Sequence, residues 1–310
     1  MFFKIGRDLF ERLHFSSFSC YNKTTMKKFL TDVHTHTFFS PDGRDTIEVM
    51  LAAAKAAGVD FYGVSEHIDY DLQAYGVPAY GKGSFTDEAE YFHHARHIQE
   101  DYEGAMNVLI GVEMGYTDHP NARAEYAALI KKYSPDFVVN SVHTRFGWDY
   151  SREKPFYREN ADGTRTLLSK TEVYNDYLAT VRRSVEQTDY DFDIIGHAGY
   201  CMRYAPYEDS TMSVAEFQEG WDGVLSAIIK RGKILEINSS NRGGNFPFLP
   251  TVDVLKRYYE LGGRKVSFGS DSHFKERILE KRELVVSALK EIGFTHITVP
   301  CRGEHIKVEI

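Results

Sequence analysis

Residues 29–36 read FLTDVHTH, a short strand-forming run that ends in two histidines two positions apart. Alternate residues of a strand leave on the same face, so His34 and His36 point to one side. The ending recurs along the chain. Val59–Ser65 is followed by His67, Val108–Glu113 ends in Glu113, and Phe137–His143 ends in His143. Asp193–His197 ends in His197, Ile234–Asn238 in Asn238, and Val266–Ser270 leads into Asp271-x-His273. Seven short apolar runs thus carry a polar or ionisable residue at or just beyond their C-terminal ends.

Helical segments separate these runs. Ile47–Ala57 is expected to start at a capping box of Asp45 and Glu48 and to stop at Gly58. Glu88–Tyr102, Ala122–Lys132, Glu172–Gln187, Val214–Lys230 (boxed by Ser213 and Glu216), Val252–Leu261 and Glu276–Glu291 follow, with strand-like pieces at Ile297–Val299 and Ile306–Ile310. Strands that are continuous apolar runs belong to a parallel sheet covered on both faces. An open sheet gathers only the strand ends near its switch point, whereas a barrel gathers all of them on one rim. Polar ends on all seven strands therefore favour an α/β barrel with its site at the C-terminal rim. Gln73–Asp87 and Thr144–Lys170 are long for connections, which marks them as functional loops.

Bulk properties narrow the function. The chain has 310 residues, 42% hydrophobic and 14% aromatic, and a net charge of −8. No stripe of lysine and arginine suggests a nucleic-acid surface. No run of 18 apolar residues suggests a membrane span. Cys20, Cys201 and Cys301 are too few and too scattered for a disulfide framework or a thiolate zinc site, as expected for a reducing, cytoplasmic setting. Residues 1–25 are phenylalanine-rich and lack the apolar core of a secretory signal. They are read as an extension outside the fold, with a single barrel domain over 26–310 beginning at the second methionine, Met26.

The strand-end residues suit metal ions. Imidazoles and carboxylates without thiolates fit Zn²⁺, Mn²⁺ or Fe²⁺. The series His34, His36, Asp42, His67, Glu113, His143, His197, Asp271 and His273 exceeds what one tetrahedral zinc requires. It suffices for three metals if one carboxylate bridges.

The stretches DVHTHTFFSPDG, GVSEHIDY, IGVEMGY, NSVHTRF, IIGHAGYCMRY, ILEINSSNRG and SFGSDSHF together resemble the PHP (polymerase and histidinol phosphatase) family, most closely its stand-alone histidinol-phosphate phosphatases. The resemblance covers nearly everything from Met26 onward. It implies a distorted (β/α)7 barrel of parallel strands with outer helices. It also implies three divalent metals: one on His34, His36, Glu113 and Asp271, a second on Glu113, His143 and His197 with Glu113 bridging, and a third on Asp42, His67 and His273. Some members carry histidine where this chain has Asp42. Glu113, Asp271 and His273 are the expected catalytic residues, and Glu66 is a supporting acid.

The implied activity is hydrolysis of a small phosphomonoester, histidinol phosphate in histidine biosynthesis. Such esters hydrolyse so slowly unaided that enzymes accelerate them up to ~10²¹-fold. A metal-bound water can fall from a pKa of about 15.7 toward about 7, so the expected step is in-line attack by a metal-bridging hydroxide. Arg145, Arg203 and Arg242 stand beside strand ends and are candidates for bidentate contact with phosphate. Trp148 and Tyr150 are candidates for a lid.

The same residues leave other readings open. A PHP hydrolase could act on a nucleotide, sugar phosphate or short oligonucleotide, and a non-catalytic metal protein could use the same barrel. Fold does not separate these. Ser40-Pro41-Asp42-Gly43 is also plain turn chemistry. Gly76-x4-Gly81-Lys82-Gly83-Ser84 nearly spells a phosphate loop, but it lacks the metal-binding hydroxyl and a preceding strand, so it is read as a flexible loop. His93, His94 and His97 are read as a solvated helix face, and Cys201 has no base partner for nucleophilic work.

Overall fold

The computed structural model describes residues 29–240 and 246–310. Seven parallel strands run in order around one sheet: β1 (Thr31–Asp32), β2 (Phe61–Ile68), β3 (Asn107–Gly115), β4 (Phe137–Ser141), β5 (Ile194–Ile195), β6 (Ile234–Asn238) and β7 (Val266–Gly269). The first and last strands meet. The Val33 amide donates to the Phe268 carbonyl, the Asp271 amide to His34, and the His36 amide to Ser272. The sheet therefore closes into a barrel, as the polar strand ends imply.

Helices α1 (Ile47–Ala56), α2 (Tyr70–Ala74), α3 (Glu88–Asp101), α4 (Pro120–Tyr133), α5 (Lys170–Glu186), α6 (Val214–Lys230), α7 (Val252–Glu260) and α8 (Arg282–Ile292) lie along the chain between and after the strands. Their apolar faces and the outward strand residues form the main core, which includes Met50, Ile110, Trp221 and Leu255. A second, smaller core fills the barrel with Val33, Phe61, Leu109, Phe137, Val139, Ile194 and Ile234. Phe137 dominates it. A Cβ on Gly111 would come within 2.4 Å of the Phe137 ring, so the strand beside it must carry glycine there. An antiparallel hairpin, β8 (His296–Cys301) with β9 (Glu304–Glu309), adds Val299 and Val308 to the same core. Asp136, next to Phe137, binds this hairpin through Arg302, α3 through Arg96, and β3 through the Ile110 amide.

Three local expectations are corrected. The N-cap of α1 is Thr46, not Asp45. Asp45 instead accepts from the Lys275 amide and so ties the loop after β7 to the start of α1. The last major helix begins at Arg282, because Lys275–Arg277 forms a separate short 3-10 turn. The long Thr144–Lys170 connection holds two small hairpins (Thr144–Arg145 with Trp148–Asp149, and Tyr157–Glu159 with Arg165–Leu167). At α6 the N-cap half of the expected box forms, with the Ser213 hydroxyl accepting from the Glu216 amide, while the Glu216 carboxylate pairs with Lys170.

Candidate metal centre

The strand ends converge on Glu113 at the end of β3. Its Oε1 lies 2.8 Å from His197 Nε2 and 3.1 Å from His143 Nε2. Its Oε2 lies 3.0 Å from His67 Nδ1, 3.3 Å from His34 Nε2 and 3.5 Å from His36 Nε2. Five imidazoles, from β1, β2, β4 and β5 or just beyond, thus surround one fully buried carboxylate. Asp271 joins on the β1 side, with Oδ1 3.3 Å from His36 Nε2 and 3.9 Å from His34 Nε2. Its backbone is left-handed (φ 52°), a conformation that aspartate tolerates better than most residues. On the outer side, Asp42 lies 3.2 Å from His273 and 3.7 Å from His67. The Asp42 side chain is 47% exposed, the most open of the nine.

Supporting groups turn the rings toward one another. His34 Nδ1 donates to Glu236 Oε1 at 2.6 Å, a tautomer assigned from its partner, which leaves the Nε2 lone pair facing inward. The second Glu236 oxygen accepts from the His197 amide and from Asn238. Gly269 makes room for this carboxylate, since a Cβ there would sit 2.3 Å from Glu236 Oε1. His36 Nδ1 faces the Ser40 hydroxyl at 3.2 Å, and that hydroxyl donates to Glu66. Glu66 also accepts from the Thr37 hydroxyl and amide.

These contacts leave lone pairs opposed. His34 Nε2 and His36 Nε2 are 3.1 Å apart, and His143 Nε2 and His197 Nε2 are 3.2 Å apart. Glu113 Oε2, His197 Nδ1 and His273 Nε2 are buried without hydrogen bonds. A donor set of imidazoles and carboxylates arranged in this way fits divalent cations. The candidate groupings are His34–His36–Asp271, His34–Glu113–His197, His36–His67–His273 and His67–Asp69–His143.

The electrostatics follow from the same crowding. Burial pushes the Glu113 carboxyl up, but His34, His143 and His67 outweigh it and hold it well below the usual range. Asp271 behaves alike, with His36 and His34 overcoming burial. Burial, with His67 and His273 beside it, drives His36 well down. Burial opposes charge on His143 too, yet Glu113 raises it to about 9.

A cavity of about 720 Å³ opens over the centre. Arg203 lines it. Its Nη2 donates to Asn238 at 2.7 Å, its Nη1 lies 3.4 Å from Asp271, and its buried Nε has no partner. Arg145 does not reach this cavity. It lines a separate one near Trp148, held there by Asp176 at 2.8 Å and by the Pro155 carbonyl. Arg242 lies outside the described residues. Tyr150 packs in the core against Phe156 and Tyr177 instead of forming a lid.

The remaining motifs have structural duties. Lys82 reaches the Phe38 and Ser40 carbonyls and so braces the turn that carries Asp42. His93 and His97 are exposed, and His94 pairs with Glu48. Cys201 is buried, and burial pushes its thiol up. Sequence reasoning missed Glu236, Asp69, Asp71 and Asp149, all of which line or support the site. The signal for Glu236 was present: an acid in mid-strand within ILEIN, where both faces of the strand are buried.

Known proteins resemble this chain in sequence and fold. The chain is 32% identical over 248 residues to a probable histidinol-phosphatase of Clostridium acetobutylicum, covering 80% of this chain and 88% of that one. It is 28% identical to the histidinol-phosphatase of Lactococcus lactis, covering 87% and 93%. The crystal structure of histidinol phosphate phosphatase from L. lactis, complexed with zinc, L-histidinol and phosphate, superposes with a TM-score of 0.74 at 24% identity, over 91% of this chain and all of that one. The PHP domain profile matches residues 32–240, more than half of the sequence, and the chain belongs to the PHP domain family.

Proposed function

We propose that this protein is a metal-dependent phosphomonoesterase that hydrolyses L-histidinol phosphate to L-histidinol and phosphate in histidine biosynthesis. The observation that carries the reading is the Glu113 carboxylate among five imidazoles, with one oxygen buried and without a hydrogen bond. The relatives named above supply the substrate.

In this reading His34, His36, Glu113 and Asp271 hold one metal, Glu113, His143 and His197 a second, and Asp42, His67 and His273 a third. Zinc, manganese and iron(II) all suit this donor set. Bound there, the metals would supply a nucleophile at neutral pH and charge to neutralise the phosphoryl oxygens. The chain's residues do the rest. Glu236 and Ser40 fix ring orientation through the far nitrogens of His34 and His36. Arg203, which lines the cavity with its guanidinium against Asn238 and Asp271, is the residue assigned to the phosphate. No helix among the described residues is long and apolar enough to cross a membrane. A cytoplasmic setting with a small phosphorylated substrate, and no nucleic-acid partner, completes the proposal.

The test is turnover by protein loaded separately with Mn²⁺, Zn²⁺ and Fe²⁺ on histidinol phosphate and a panel of other phosphoesters. Histidinol phosphate should show the highest kcat/KM. Turnover of another ester with none of histidinol phosphate would overturn the assignment.

A further inference from the structure

The cavity over the metal centre is lined by the strand-end histidines and Arg203, and also by three carboxylates outside the expected ligand set, Asp69, Asp71 and Asp149. Two of the three have hydrogen-bond donors. Asp71 accepts from the Thr144 hydroxyl at 3.2 Å, and Asp149 accepts from the Tyr200 hydroxyl at 3.3 Å and from the Ser151 amide. Asp69 differs. It is only 8% exposed and stands at the N-cap of α2, yet its carboxylate does not take the capping bond. Among the described residues it has no hydrogen-bond donor and no arginine or lysine partner. Arg152 also lines the cavity, but its guanidinium stacks over the Tyr80 ring at 5.0 Å.

The Asp69 carboxylate lines the cavity beside His67 and His143, where an arriving cation or donor can pair with it. One Asp69 oxygen lies within 4.8 Å of a ring nitrogen of His67 and of His143. A cation held there would sit beside the metals and not at the cavity mouth. The leaving alcohol of histidinol phosphate fits that demand. Its ammonium is borne on the carbon next to the ester CH₂, so a phosphate on the metals brings the ammonium close to them.

We infer that the wall of Asp69, Asp71 and Asp149 receives the ammonium group of an amino-alcohol phosphate, with Asp69 as its anchor. The inference rests on the histidinol-phosphate reading and adds the residues that select for the amine. Asp69 is a specificity residue here: it touches the alcohol part of the substrate and takes no part in bond cleavage.

Two matched pairs of esters test it: histidinol phosphate against its analogue with hydrogen in place of the amine, and 2-aminoethyl phosphate against ethyl phosphate. The metal-loaded wild type should prefer the amino member of each pair. In Asp69→Asn that preference, read as a ratio of kcat/KM values, should fall on the order of 10- to 100-fold, as for loss of a hydrogen bond to a charged group. Calorimetric binding of L-histidinol should weaken with it, while metal content stays at the wild-type level. A preserved ratio in the variant, or a wild type without preference, would overturn the inference. So would loss of a metal equivalent, which would make Asp69 a ligand instead. If Asp69→Asn does not fold, Asp149→Asn carries the same ratio test. A wild type inactive on histidinol phosphate but selective for 2-aminoethyl phosphate would sink the proposed function and leave the amine subsite standing. Turnover of histidinol phosphate with an unchanged ratio in the variant would do the reverse.

Discussion

Glu236 Oε1 lies 2.6 Å from His34 Nδ1, on the side of the ring opposite the nitrogen that faces Glu113. The pair links β6 to the end of β1, and the other Glu236 oxygen holds the His197 amide. One mid-strand carboxylate thus orients residues assigned to two metals. Glu236→Ala should weaken metal binding about 10- to 100-fold, the usual effect of losing such a supporting partner. Chelator competition with metal analysis would show it. Wild-type affinity in a folded variant would remove Glu236 from the site.

Glu113→Gln keeps the size of the side chain but removes its charge. Five imidazoles then lose their common anion, and the proposed bridge loses an oxygen donor. Metal content should fall, and kcat/KM should drop by about 1000-fold or more, about 4 kcal/mol at the usual conversion. Near wild-type turnover would refute the bridging role.

Arg203 is the one arginine of the expected three that lines the metal cavity among the described residues. Lysine in its place keeps charge but not the planar fork. Arg203→Lys should raise both KM and the inhibition constant for inorganic phosphate about 10-fold or more, in keeping with loss of a charged hydrogen bond. Arg145→Lys should change neither. Equal effects from the two variants would contradict the placement.

Asp136 governs stability, not chemistry. Burial pushes its carboxyl up, but Arg96, the Ile110 amide and Arg302 outweigh this and hold it below the ordinary value. A depressed carboxylate stabilises the fold above its unfolded pKa of about 3.9, and that stabilisation is lost as pH falls through the lower folded value. Asp136→Ala should therefore lower the melting temperature at pH 7, at a cost of about 1–3 kcal/mol for the stranded donors. The gap from wild type should narrow below pH 4. A constant gap across pH 3 to 7 would rule out the ionised form as the stabilising one.

The barrel was legible because its signal is repeated. Seven apolar runs ending in polar residues admit few arrangements, and α6 and β6 have the bounds that the periodicity assigns. The nine strand-end positions come together for the same reason. What the sequence hid depends on distance. Nothing near Asp45 in the chain shows that Lys275, 230 residues on, will claim its carboxylate. The single turn of α2 is too short to carry a period, so no sequence pattern singles out Asp69 and Asp71. Arg145 looked suitable by its place in the chain, two residues beyond His143. The hairpin at Thr144–Asp149 turns it away toward Asp176.

Barrel closure has a consequence for how the protein is made. His34 and Asp271 are joined across the seam between the first and seventh strands. A nascent chain ending before Val266 holds most of the histidines but has two unpaired sheet edges and lacks both Asp271 and His273. Such edges template pairing with other chains. The candidate ligand set is therefore incomplete until the seventh strand and the residues just beyond it have been synthesised.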